Sequence, residues 1–198
     1  MKDAVSKRGL VDVEDARVLL RDVSWTTYRA LRDAPAHDRL RMTYLDGALE
    51  LMSPGKHHAV TAVMLGRLLE LFCLEGDIPL YGYRDMTMRK APKKRGLEAD
   101  NSYARGRDKK QPDLAIEVVV SSPLLDKLEV YRGLGVSEVW IHEAGRLTVH
   151  RLRRNRYVEI TASIVIPELD VARLAHHAAN PDQHAALVAF RDELRTKS

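Results

Sequence analysis

A mixed α/β domain, with strands interleaved between two principal helices, is the fold class that this sequence predicts. Three stretches carry the prediction. Residues 114–120 (LAIEVVV) are a near-continuous apolar run of strand length, rich in β-branched side chains, which suits a strand covered on both faces. Residues 57–75 place Val60, Val63, Met64, Leu65, Leu68, Leu69, Leu71 and Phe72 around much of a helical circumference, the mark of a central buried helix. MTYL and ALELM flank Asp46-Gly47, a strong two-residue hairpin signal. The chain has 198 residues, 45% hydrophobic and 30% charged, which fits one globular domain with a real core and does not fit disorder.

In chain order, residues 1–38 are mostly polar with two weak helical patterns and read as an N-terminal helical extension. The second pattern starts at Ser24 as cap and puts Trp25, Tyr28 and Leu31 on one face. In the 40–52 hairpin, alternation sets Leu49 and Leu51 on one face and Ala48, Glu50 and Met52 on the other. Ser53-Pro54-Gly55 turns the chain into the long helix. Short strand-like pieces (LYGYR, MTMRK) precede a single strand expected over Leu97–Tyr103, and a polar loop then leads to 114–120. Ser122 and Pro123 look like a helix start, with Asp126, Lys127 and Tyr131 in the helix and Gly133 or Gly135 at its end. Strands over 136–142 and 146–151 form a hairpin around Glu143-Ala144-Gly145, and 157–160 continues the sheet. Ile166–Leu169 reads as a loop. Pro181 opens a final helix, 176–198 being a C-terminal helix packed on the same domain.

Composition narrows the function classes. A lone cysteine, Cys73, excludes an intramolecular disulfide and a cysteine-based zinc cluster, and within its apolar helix it reads as core. No run of about 18 apolar residues occurs, and MKDAVSKRGL has no hydrophobic signal core. The expectation is a cytoplasmic protein with no membrane association. A net charge of +4 permits an anionic partner without requiring one.

The most informative residues are Asp100 and Glu117. If residues 104–113 close a hairpin with Tyr103 opposite Leu114, Asp100 falls opposite Glu117, with β-carbons about 4.5–5.5 Å apart. Two carboxylates so close need a cation between them. Mg²⁺ or Mn²⁺ would suit them, and Lys127 would add positive charge where a phosphorane-like transition state forms. The blander alternative is an internal salt bridge with Lys127, Arg89 or Arg95. Glu50 and His58 approach the same sheet edge, although an isolated histidine is more often a surface or cap residue. His57 is adjacent to His58 and cannot share its face. Three basic groups make phosphate-backbone binding reasonable: 89–95 (Arg89, Lys93, Lys94, Arg95), 105–110 (Arg105, Arg107, Lys109, Lys110) and 151–156. They read equally well as solvated faces.

At these residues the chain resembles the Uma2 family of restriction-endonuclease-like proteins, within the PD-(D/E)XK nuclease superfamily. The resemblance rests on YLDGALELMSP with His58, TMR with Arg89, GLEADNSY, QPDLAIEVV and LDKLEVYRGLGVSEVW, in order over roughly residues 43–142. It implies a mixed central sheet flanked by helices, with extra β-hairpins, over residues 39–175. It also implies hydrolysis of DNA phosphodiester bonds with Mg²⁺ or Mn²⁺ as cofactor. Asp100 and Glu117 would be the metal ligands, and Glu50 and His58 would complete the site. The superfamily's usual lysine position, two residues beyond the second acid, is Val119 here, and Lys127 on the next helix takes its place. Ala99 stands where the family commonly has proline, and Asp113 matches the family but sits at a strand start. A symmetric dimer would suit cleavage of two strands. The alternative function is a catalytically inactive nucleic-acid-binding or assembly module that keeps the nuclease fold.

Overall fold

Two sheets and five α-helices organise the chain in the computed structural model, which describes residues 14–37, 40–84 and 86–196. The first sheet is antiparallel. It contains β1 (Ala16–Leu20), β2 (Arg41–Leu45), β3 (Ala48–Ser53), β5 (Thr87–Lys90) and β6 (Arg95–Glu98), in the order β1-β3-β2-β6-β5. The second holds β4 (Tyr81–Gly82), β7 (Asn101–Ala104), β8 (Leu114–Val119), β9 (Glu138–Glu143), β10 (Arg146–Arg153) and β11 (Arg156–Ile160), in the order β11-β10-β9-β8-β7-β4. Its one parallel pair is β8 with β9. A parallel pair needs a crossover, and α3 (Lys127–Leu134) supplies it, so Gln111–His142 is a βαβ unit at the centre of the molecule.

The run around Glu117 is buried on both faces, as its composition predicts. On one face, Ile116, Val118 and Trp140 pack against Met64, Leu65 and Leu68 of α2 (Lys56–Glu75). Phe190 of α5 (Gln183–Thr196) and Leu174 of α4 (Val171–Ala178) extend the same core. On the other face, Ala115 and Val139 meet Val130, Tyr131 and Leu134 of α3, and α3 in turn packs on Leu97 of the first sheet. The length and apolarity of α2 alone would allow it to cross a membrane, but its buried face is spent on this core.

A third cluster holds α1 (Trp25–Arg32), capped by Ser24, against the first sheet. The Tyr28 and Tyr44 rings stack at 4.8 Å. Gly96 lies beneath Tyr28, and a β-carbon there would come within 2.3 Å of its hydroxyl oxygen. Gly96→Ala is therefore expected to destabilise the protein by about 1–3 kcal/mol in denaturant unfolding, the usual cost of overpacking; an unchanged midpoint would show that Tyr28 moves aside freely.

The Asp46-Gly47 hairpin, the long helix, the 136–151 hairpin and a final helix after Pro181 lie where the sequence puts them, although that helix runs over Gln183–Thr196 and residues 176–178 end the preceding helix. Four readings are corrected. The stretch read as a wholly helical extension contributes β1, an edge strand whose Val18 and Leu20 face outward, so its apolar pattern resembles neither a core strand nor a helix. The weak pattern at the extreme N-terminus falls partly on residues 1–13, outside the described residues. The single strand over Leu97–Tyr103 is two strands in different sheets, because the chain crosses between sheets at Ala99-Asp100. The helix after β8 starts at Lys127 under an Asp126 cap, not at Ser122-Pro123, since Asp126 rather than Ser122 accepts a first-turn N–H (Glu129, 3.1 Å). Finally, Val171–Ala178 is a helix capped by Asp170, not a continuation of loop.

Candidate active site

Asp100 owes its position to the crossing between sheets. The predicted register is found, with Tyr103 opposite Leu114 and Asn101 opposite Ile116, but pairing stops there, one residue short of Asp100. In place of a ladder bond, Asp100 Oδ2 accepts the N–H of Val118 at 2.8 Å. The carboxylate thus satisfies a buried strand donor that would otherwise lack a partner. Glu117, the preceding residue of β8, is 1% exposed and points to the α3 side of the sheet. Lys127 Nζ donates to its Oε2 and the Tyr131 hydroxyl to its Oε1. Lys127 and Tyr131 are one turn apart on the same helical face, so α3 presents both to one carboxylate.

Glu50 and His58 arrive from the first sheet and from α2. Glu50 Oε2 accepts the N–H groups of Leu124 and Leu125, each at 3.1 Å, which ties the loop leading to Lys127 onto β3. His58 Nε2 lies 2.9 Å from Asp100 Oδ1, and its Nδ1 lies 3.1 Å from Asp15 Oδ2. Asp15 Oδ1 also accepts the N–H of Gly55 at the head of α2. Arg17 on β1 joins these parts. Its guanidinium donates to Glu50, to Asp15 at 3.2 Å and to Ser121 Oγ at 3.0 Å.

The electrostatics follow from burial and from this charge count. Four buried carboxylates (Asp15, Glu50, Asp100, Glu117) face two permanent cations, Arg17 and Lys127, with His58 between them. Burial would raise Asp100, but the His58 hydrogen bond, Lys127 and the Val118 N–H hold it below the usual carboxylate range. Glu117 is pushed up by burial and by Asp100 in spite of Lys127. Lys127 works against its burial and stays firmly protonated, because Glu117 and Asp100 outweigh the desolvation. Burial opposes a charged His58 as well, but Asp100 and Asp15 raise its pKa. The shifts of Glu117, Lys127 and His58 retain a proton beside the acids, while that of Asp100 keeps its carboxylate ionised. The cluster is short of positive charge.

This donor set fits a hard divalent ion. Among the described residues no group of three or more His, Cys, Asp or Glu side chains is arranged to hold a metal alone. Mg²⁺ needs no such cage, since it binds through one or two carboxylates and takes its other ligands from water and substrate phosphate.

The structure brings Glu50, His58, Asp100, Glu117 and Lys127 together and leaves the basic residues elsewhere. Arg89 pairs with Asp33 at 2.6 Å on the surface. Arg95 is held by Asp46 (2.7 Å) and Glu129 (3.3 Å), and Lys93 and Lys94 are exposed in the β5–β6 turn. Arg107 donates to the Tyr81 hydroxyl, Lys109 grips Asp113 at 2.7 Å, and Arg105 and Lys110 are exposed in the same loop. Both groups occupy hairpin ends away from Asp100. The loop carrying Arg105 and Lys110 meets β8 at Leu114, about 10 Å along the strand from Glu117.

Sequence reasoning missed Asp15, Arg17 and Ser121, and gave Tyr131 no role. Only the last had a usable signal, its spacing of one helical turn from Lys127. Tyr131→Phe keeps the ring in the core and removes the hydroxyl from Glu117. It is expected to lower any metal-dependent cleavage about 10–100-fold, as loss of a ligand's supporting hydrogen bond does, with little change in fold. Cleavage assays beside circular dichroism of the variant check both parts.

A buried acidic cluster with an adjoining lysine, beside a central βαβ unit in a mixed sheet flanked by helices, makes this an α+β protein compatible with a restriction-endonuclease-like fold. Residues 25–175 match the model of the Uma2 family, described as "Putative restriction endonuclease", and the chain belongs to that family. No curated protein matches the chain.

Proposed function

We propose that the protein is a metal-dependent endonuclease that hydrolyses DNA phosphodiester bonds at this cluster. The observation that carries the proposal is the excess of buried carboxylate over cation around Asp100 and Glu117, an arrangement that a bound divalent ion would complete. In this reading Asp100 and Glu117 hold Mg²⁺ or Mn²⁺. When bound, the ion supplies Lewis-acid polarisation of the scissile phosphate and acidifies the attacking water.

The chain's own residues have separate tasks. Lys127, kept protonated by the two acids, donates to Glu117 and offers its charge to the negative oxygens that develop at phosphorus. Tyr131 fixes the second oxygen of Glu117, so that its free lone pairs have one orientation. His58 does the same for Asp100, and Asp15 in turn fixes the ring. Glu50, engaged by Arg17 and two backbone N–H groups, holds the 120–126 loop and thereby the start of α3. Glu50 is a positioning residue in this arrangement and not a ligand.

Calorimetric titration with Mn²⁺ tests the proposal directly. Wild-type protein is expected to bind in a saturable manner, and Asp100→Asn to lose that binding. DNA binding that is salt-sensitive but indifferent to Mn²⁺ and to Asp100→Asn would favour an inactive nucleic-acid-binding module instead.

A further inference from the structure

The longest helix, α2, buries its inner face in the core and leaves one stripe in solvent. Lys56, Val60, Val63, Arg67, Glu70 and Leu74 recur at intervals of three or four residues, and all six are exposed. Such spacing keeps them on one face, within about 100° of the helical circumference. Half of the stripe is aliphatic: Val60, Val63 and Leu74 are 37%, 46% and 77% exposed. Beside it, a groove of about 420 Å³ runs between α2 and α5, with Leu71, Leu74, Leu187 and Val188 as its apolar lining. Apolar surface gathered along a helix and an adjoining groove, rather than scattered singly, marks a contact surface.

The charges in the middle of the stripe identify the occupant. Arg67 donates to Gln183 Oε1 at 3.1 Å, and Glu70 accepts from the Tyr103 hydroxyl at 3.0 Å. Both of these groups are neutral, and among the described residues neither Arg67 nor Glu70 has an ion pair. They stand one turn apart with opposite signs. A face with that order is complementary to itself when a second copy lies antiparallel, because a two-fold contact that brings residue i to residue j also brings j to i. Placing Arg67 against the partner's Glu70 puts the two-fold axis midway between them, at the level of Leu68 and Leu69. The same register sets Val63, four residues before Arg67, against the partner's Leu74, four residues after Glu70. Two ion pairs are then flanked on each side by an aliphatic contact, and no like charges meet within residues 63–74. A lipid surface, by contrast, would bury Glu70 unpaired.

We propose that α2 mediates an antiparallel, two-fold dimer of this chain, centred on reciprocal pairs of Arg67 with Glu70 and closed on either side by Val63 against Leu74. From Lys56 to Leu74 the stripe is about 27 Å long, and with α5 beside it the face covers on the order of 500 Å² per protomer, less than the roughly 800 Å² of a standard interface. The dimer is accordingly a weak one that dissociates in the micromolar range. Each protomer keeps a whole acid cluster, so the dimer does not depend on the nuclease reading.

The test is sedimentation velocity of the metal-free, full-length protein over roughly 1–300 µM. The wild type is expected to pass from monomer to dimer as concentration rises. Leu74→Glu should weaken association about tenfold or more, and Arg67→Glu and Glu70→Arg should each do the same by bringing like charges together. Arg67→Glu/Glu70→Arg restores the pairs with reversed polarity and should recover most of the wild-type association, a rescue that a role confined to one protomer would not produce. Circular dichroism checks that these exposed substitutions leave the fold intact, and should a reversal fail to fold, Leu74→Glu alone decides. A wild type that stays monomeric throughout would overturn the dimer. Association unchanged by Leu74→Glu would place any dimer on another face. Loss of association in both single reversals without recovery in the double variant would overturn the antiparallel register.

Discussion

Purified protein carrying Glu117→Gln is expected to lose nicking of supercoiled DNA in Mg²⁺ or Mn²⁺ by on the order of 10²–10³-fold or more. Removing one preorganised charge from a water-poor active site typically has that effect. Glutamine keeps the shape of the side chain and an oxygen for Lys127 or Tyr131, so the fold has little reason to change. The charge is what disappears, and with it half of the proposed ligand pair. Asp100→Asn should be as severe. A double variant should be little worse than either single one, because ligands of one ion act as a unit. Wild-type nicking that persisted in both variants would place the chemistry elsewhere, and absence of metal-dependent nicking in the wild type would sink the catalytic reading itself. The unfolding midpoint of Glu117→Gln should be measured beside the assay, since Lys127 retains Asp100 as a charge partner but loses its direct one.

Arg17→Ala is expected to destabilise the protein by about 3–5 kcal/mol, the usual cost of stranding buried charges by removing one partner. For a chain of this size the melting temperature should fall on the order of 10 °C. The side chain is 7% exposed and bridges three elements. It meets Glu50 on β3, Asp15 at the head of β1 and Ser121 in the loop before α3. Without it, Asp15 and Glu50 remain buried with fewer donors. Arg17→Lys should recover only part of the loss, since an ammonium cannot reproduce the planar fork that reaches all three acceptors. A shift of no more than one or two degrees in thermal unfolding would mean that the cluster relaxes around water. Activity measured below the melting transition should fall further than stability alone explains, because Glu50 loses its fixed position and the Leu124–Leu125 backbone that it holds is free to move.

How much of this was legible in the chain depends on whether the physical signal is local. The valine strand, the Asp46-Gly47 turn and the apolar girth of α2 are periodicities read within a dozen residues, and they were placed correctly. The opposition of Tyr103 and Leu114 was also legible, because a short loop and a period of two leave few registers. The start of α3 was misplaced for a similar reason. Ser122-Pro123 and Asp126 are both acceptable helix starts by composition, and only packing selects between them. Glu50 holds the Leu124 and Leu125 N–H groups outside the helix, which favours the later start.

The sequence alone determined the class of fold and the strand that carries Glu117, and it singled out Asp100, Glu117 and Lys127 as candidates, the nuclease reading of them resting on the resemblance to the family. Tertiary structure decided what those residues do for one another. Asp100 caps a strand donor at a crossing between sheets; Glu117 is shared by Lys127 and Tyr131; Arg17, from a stretch with no readable pattern, closes the cluster. The reason is range. Periodicity and turn chemistry act between neighbours in the chain. The charge balance of a buried cluster is set by residues more than a hundred positions apart, such as Arg17 and Ser121, which meet only once the sheets have packed.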